Sequence, residues 1–265
     1  MGIDFVKEGR IVKVGLNVPE TKNALGPDVM LELYRAWEEC GKDDDVRAVV
    51  LHSNLPDIFC SGMDLRTAIP ILTGVRAPET EGEKWLISDA AAVGKSMLKV
   101  REMHKPVIAA IHGYCLTGGF EMVMGCELRV GADDAVFQMR ETTLGIMPIG
   151  GSNVFLPMQV GQTRAMEILL TGDNFSARTL YEWGFLNRVA PRERYMDEAM
   201  ALAERIAGNG PLSQRSMVKC SREIVGKSFD EAMNIELQIG MPVFMSDDAR
   251  EGVRAQKEKR KPEFK

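Results

Sequence analysis

Histidine is scarce in this chain of 265 residues. Its three copies, His52, His104 and His112, show no metal-ligand spacing, and no His-Glu-x-x-His motif occurs, which argues against metal catalysis. The five cysteines (Cys40, Cys60, Cys115, Cys126, Cys220) are odd in number, scattered and mostly in apolar contexts. That pattern excludes a disulfide scaffold and suits a reducing cytoplasm. No apolar run reaches the ~18 residues of a membrane helix. The opening Gly2-Ile3-Asp4-Phe5-Val6 reads as neither a signal nor a transit peptide, and Val6 spoils a myristoylation motif. Positive charge is in deficit: 33 Lys+Arg against 38 Asp+Glu leave −5, so nucleic acid is not the expected main partner. A Gly-x-Ser-x-Gly elbow is missing, so Ser61 or Ser152 with any of the histidines makes a poor serine-hydrolase triad. Neither glycine-rich segment, around Gly118-Gly119 or Gly150-Gly151-Ser152, continues as a Walker motif.

What remains is an ordinary globular composition, 45% apolar and 27% charged, which excludes a disordered chain. Over the first ~190 residues, strand-like and helix-like segments alternate, implying a mostly parallel sheet. Ile11–Leu16 alternates at period two. Gly26-Pro27 opens a helix with proline at its first position, and Val29, Met30, Leu33, Tyr34 and Trp37 form its apolar stripe. Residues 46–51, Val107–Ile111, 128–131 and 135–138 read as strands, with helices at Ser152–Val160, 163–170 and 177–183. From about Tyr195 the pattern is helical throughout, at 196–207, 211–225, 230–239 and 247–259. Two portions follow, an α/β core over 1–195 and a helical portion over 196–265. Met122, Met124, Met147, Met158 and Met166 fall on apolar faces and read as core.

Three segments carry polar groups where chemistry is done. In Lys105-Pro106-Val107-Ile108-Ala109-Ala110-Ile111-His112-Gly113-Tyr114-Cys115-Leu116-Thr117-Gly118-Gly119-Phe120-Glu121, a buried strand runs into a glycine-rich turn and then a helix, with Thr117 as N-cap. Free amides at such a turn can hold an oxyanion, and glycine lets a ligand approach. Glu121 in the first turn is either a complement to the helix dipole or a half-buried carboxylate used as a base. His112, at a buried strand end, reads as a core histidine. The second segment is Ile58-Phe59-Cys60-Ser61-Gly62-Met63-Asp64-Leu65, a turn after a strand in which Asp64 can cap a helix. The third runs from Ala135 through Phe137, Glu141, Gly145 and Pro148 to Ser152, with Glu141 ending a strand before a Gly/Pro loop.

Taken together, these segments resemble the crotonase superfamily, the enoyl-CoA hydratase/isomerase family. Thr21-Lys22-Asn23-Ala24-Leu25 near the start, Gly172-Asp173 and Gly184-Phe185-Leu186-Asn187-Arg188-Val189 later, and Glu251-Gly252 with Lys259-Arg260-Lys261-Pro262 at the end extend the similarity over nearly the whole chain. The resemblance implies repeated ββα units in a spiral core, with the C-terminal helices used for assembly into trimers or hexamers. It implies that the amides of Met63 and Gly118 form an oxyanion hole for a thioester carbonyl, each worth ~3–4 kcal/mol to the transition state. It implies that Glu121 holds and activates water while Glu141 donates a proton at Cα.

Weaker carry-overs place Lys22, Ala24, Cys60, Ser61, Gly62, Asp64, Leu65 and Arg66 around the CoA moiety, and Leu116, Gly119, Pro148 and Gly150 around the acyl group. The basic tail of Arg254, Lys257, Lys259, Arg260 and Lys261 is offered either to CoA phosphates or to solvent. CoA then arrives as part of the substrate and no separate cofactor is expected. Both glutamates together favour hydration over double-bond isomerisation or other CoA-thioester enolate chemistry; a non-catalytic CoA- or RNA-binding family member is the alternative of another class. This sequence departs from the family at Thr117, at Ile149 and at Ser152-Asn153, where glycine or Gly-Thr is common. It also carries a long stretch between Asp64 and Lys105, so bulky, branched or cyclic acyl groups are as plausible as crotonyl.

Overall fold

A computed structural model of the chain describes residues 2–100 and 102–265. The chain starts with the antiparallel hairpin β1 (Ile3–Glu8) and β2 (Ile11–Leu16), turned at Gly9 with positive φ. Helix α1 (Pro27–Lys42) starts on Pro27 and buries Met30, Leu33 and Trp37 of the expected stripe, leaving Val29 and Tyr34 half-buried. Strand β3 (Ala48–Ser53) lies parallel to β2, and β4 (Ile58–Cys60) turns away from it. Three helices, α2 (Ala68–Leu72), α3 (Glu81–Ser88) and α4 (Ala92–Ser96), occupy the long interval before β5 (Val107–Ile111). The acidic run there is a helix start: Thr80 and Glu83 form a capping box. The Gly82 amide docks on Asp28 Oδ1 of α1 at 2.9 Å.

The middle of the chain continues through β6 (Tyr114–Leu116), α5 (Gly118–Met124), β7 (Leu128–Ala132) and β8 (Val136–Gln138). It closes with α6 (Ser152–Val160), α7 (Gln162–Thr171), β9 (Phe175–Ser176), α8 (Ala177–Glu182) and β10 (Arg188–Ala190). Four helices end it: α9 (Tyr195–Ala207), α10 (Pro211–Glu223), α11 (Phe229–Phe244) and α12 (Asp247–Glu258).

The strands form two sheets, in the orders β1-β2-β3-β5-β7-β10 and β4-β6-β8-β9. The pairs β3/β4, β5/β6 and β7/β8 each send one strand to either sheet before a helical segment, which is the repeated ββα spiral. Except at the hairpin and at β9, the pairings are parallel. A core of apolar side chains lies on one face of the large sheet, where Phe120, Phe137 and Phe185 meet with ring centroids 5.0 to 6.1 Å apart. The other face is covered by α9, whose Ala199, Ala203 and Ala207 let the helix sit close on Val50, Ile108, Ala110 and Val130. Both faces being covered explains why these strands read as continuous apolar runs. His112 is a core residue: Nε2 lies 2.7 Å from the Leu55 carbonyl oxygen and Nδ1 2.7 Å from Tyr195 Oη. Met122 and Met124 are core, but Met147 and Met158 are exposed, since the loop and helix face that carry them are uncovered in the single chain.

Candidate active site

Strand β4 ends in a loop that is stitched to the segment before α1. Leu25 N donates to Gly62 O at 2.7 Å and Asp64 N to Leu25 O at 3.1 Å, while Ser61 N donates to Lys22 O at 3.2 Å. These bonds set the Met63 amide opposite the start of α5. A Cβ added to Gly118 would lie 3.1 Å from Met63 N, so the two backbone segments lie side by side. Among the described residues neither amide has a hydrogen-bond acceptor. The approach depends on glycine at two points. Gly62 holds φ +103°, and its Cα is packed against Thr117 Oγ1 with no space for a Cβ. Thr117 itself adopts φ 45°, ψ −116°, a strained conformation for a β-branched residue. It occupies the N-cap position of α5 but makes no side-chain cap; its hydroxyl faces Gly62, so the capping expectation fails.

Glu121 and Glu141 are both buried. Glu121 Oε1 accepts from Ser152 Oγ at 2.6 Å and from Ser152 N at 3.2 Å. Burial pushes its carboxyl above the usual range, while the Ser152 hydroxyl and amide and the Lys99 ammonium oppose the rise. Glu141 does not end β8; it opens a 3-10 turn, Glu141–Leu144, three residues after the strand's last residue, Gln138. Its Oε2 is buried without a hydrogen-bond partner among the described residues. Burial first, and the nearby Glu121 charge as well, raise Glu141 to about 7. The two carboxyls therefore sense one another and differ in solvation. The one with hydrogen-bond donors is the better anion, and the bare one is the better proton carrier near neutrality.

The remaining residues singled out in the sequence fall around this centre. Gly150 packs its Cα against Glu121 Oε2, and Pro148 is buried in the same loop. Ala24, Cys60 and Gly62 are buried, Lys22, Leu65 and Arg66 are exposed, and Ser61 and Leu116 are intermediate. Cys60 turns inward: its thiol donates to Asn23 O at 3.0 Å, and burial pushes it up to about 12. Gly119 faces Cys60, whose Cβ would be 2.5 Å from an added methyl. Asp64 caps no helix by its side chain; Oδ1 accepts from Arg66 N and Nε. In the tail, Arg254 and Arg260 are engaged by Glu251. Sequence reading missed Ser152 and Lys99 as site neighbours. Serine in place of the common glycine was the visible signal for the first; nothing marked the second.

Comparison with known proteins decides between a chance likeness of motifs and common descent. Residues 6–265 match the model of the family described as enoyl-CoA hydratase/isomerase. The chain belongs to that family. It is 35% identical over 258 residues to enoyl-CoA hydratase EchA19 of Mycobacterium tuberculosis, covering 97% of this chain and 94% of the relative. It is 31% identical over 255 residues to a peroxisomal Delta(3,5)-Delta(2,4)-dienoyl-CoA isomerase of Arabidopsis thaliana, covering 94% and 90%. In three dimensions it is similar to a probable enoyl-CoA hydratase/isomerase from Mycobacterium abscessus, with a TM-score of 0.89 at 28% identity, covering 100% of this chain and 98% of that one. The fold of this family member is thus crotonase-like along its whole length.

Proposed function

We propose that this chain hydrates the 2,3 double bond of an acyl-CoA thioester. The observation that carries the reading is the pairing of two unoccupied amides, Met63 N and Gly118 N, with two buried carboxyls of unlike solvation. The amides polarise the thioester carbonyl. Water held by the Glu121 carboxylate loses a proton to it and forms the Cβ–O bond, and the π electrons move into the enolate oxygen. Glu141 delivers its proton to Cα and the enolate collapses, so one water has been added. Transfer of the proton from Glu121 to Glu141 resets the pair. CoA travels with the substrate and the chain holds no cofactor of its own.

The reading includes a homotrimer or hexamer in a reducing cytoplasm. Helix α11 supports the assembly: none of its residues is buried, and Phe229, Met233, Leu237, Met241 and Phe244 lie exposed along it. The five free cysteines and the −5 charge support the compartment and the absence of a nucleic-acid partner. Among the described residues no helix is long and apolar enough to cross a membrane. A panel of 2-enoyl- and 3-enoyl-CoA thioesters tests the reading. Loss of conjugated-enoyl absorbance with 2-enoyl esters is expected; gain from 3-enoyl esters without that loss assigns isomerisation instead.

A further inference from the structure

Glu121 is held from behind by two residues that the reaction scheme leaves unused. Ser152, fully buried at the start of α6, spends both its hydroxyl and its amide on Oε1. The other oxygen, Oε2, lies against the Cα of Gly150. Under the same turn runs Lys99. Its Cε would be 3.4 Å from a Cβ on Gly151, and its ammonium sits 4.1 Å from the ring centroid of Phe155 on α6. Its Nζ is buried and has no hydrogen-bond partner among the described residues.

A buried ammonium without hydrogen bonds is costly and needs a compensating charge. The groups that act on it are Glu121 on α5, Cys126 just beyond α5, Arg129 on β7 and Arg222 on α10. Both arginines repel it, and Glu121 is the one carboxylate in that set; the Phe155 ring face adds a weaker attraction. Facing Glu121 in turn are Lys99, the hydroxyl and amide of Ser152, the Gly150 amide and, from the 3-10 turn, Glu141. Burial pushes Lys99 down to about 7 while Glu121 pulls it back.

We propose that Ser152 and Lys99 are positioning residues for Glu121: Ser152 locks the carboxylate by holding Oε1, and Lys99 supplies the counter-charge that keeps it ionised, so that Oε2 is the oxygen that carries the water. The water-holding part rests on the hydratase reading; the locking and the charge coupling do not. Both Ser152→Ala and Lys99→Met remove support for the anion, so the Glu121 proton is held to higher pH.

The test is a carbon NMR titration of full-length protein labelled at the glutamate carboxyl, with the Glu121 signal assigned by its loss in Glu121→Gln. Alongside it, kcat and KM are measured against pH with a 2-enoyl-CoA. The expected result is a Glu121 midpoint moved upward by about one pH unit in each of Ser152→Ala and Lys99→Met. Lys99→Arg should return toward wild type. The acid limb of kcat/KM should move the same way, with kcat reduced about tenfold and KM nearly unchanged. The melting temperature of each variant is measured alongside, so that a shifted midpoint in a protein that still melts cooperatively is separated from misfolding. Glu121 midpoints that stay at the wild-type value in both variants overturn the proposal. A shifted midpoint in a protein that hydrates no enoyl-CoA upholds the charge coupling and removes the hydratase reading alone.

Discussion

Gly118 stands so close to Met63 that a methyl group on its Cα would come within 3.1 Å of the Met63 nitrogen. The contact joins residues far apart in the chain, and it is made by backbone alone. Gly118→Ala should therefore fill the space where a carbonyl oxygen must sit. We expect kcat/KM to fall by about 10²-fold, in the range seen when one oxyanion donor is lost. Far-UV circular dichroism should be unchanged, because alanine suits the first turn of a helix. Wild-type turnover in Gly118→Ala would move the oxyanion site elsewhere.

Glu121→Gln and Glu141→Gln each remove a proton-transfer group while keeping shape. Each should lower kcat by ~10²–10⁴. Affinity for an acyl-CoA product analogue, read by calorimetry, should change little. A loss confined to affinity would make these residues binding groups.

The raised Glu141 carboxyl has consequences for pH. As the proton donor it must be protonated, so kcat/KM should decline as pH rises through about 7. Its folded-state value lies above the ordinary carboxyl value of 4.5, so its stabilising contribution is complete below 4.5 and is lost as pH rises through about 7. Glu141→Gln should accordingly raise the melting temperature more at pH 8 than at pH 5. An equal effect at both values would show that Glu141 titrates normally.

At Gly62, φ is +103° and a Cβ has no room beside Thr117 Oγ1. Gly62→Ala should melt several degrees lower and lose activity, and adding Thr117→Gly should recover only the part due to the clash. Thr117→Gly alone should cost little stability, because releasing a strained φ of 45° offsets the flexibility gained, each about 1 kcal/mol. A large drop in its melting temperature would show that Thr117 is not strained.

The ββα core was legible because its long strands are covered on both faces and its helices carry clear stripes and caps. Val107–Ile111 and Ser152–Val160 appear with the bounds their patterns suggest. Of the second sheet only β8 was legible, within the run 135–138: β4 and β6 are three residues long and β9 only two, too short to show a period. Strand β3 starts at Ala48 rather than Val46, because Val46 N is used in a turn to Asp43 O. The candidate site was found through glycines and acids at motif spacing, which report local backbone. Lys99 and the Ser152–Glu121 bond come from contacts across the fold, to which spacing is blind. Thr117 looked like a cap because residue type fits one; its strained backbone points the hydroxyl elsewhere.

The apolar side of α11 predicts assembly. Sedimentation should show a trimer or a multiple of it, and Leu237→Asp, at an exposed α11 position, should shift the protein toward monomer. A monodisperse wild-type monomer would contradict this.

The most direct measurement is a crystal structure with a non-turnover acyl-CoA thioester bound. The thioester oxygen should lie about 2.7–3.1 Å from both Met63 N and Gly118 N. Cα and Cβ should then lie between the carboxyls of Glu121 and Glu141. A thioester oxygen bound away from either amide, or a Cβ out of reach of Glu121, would contradict the account.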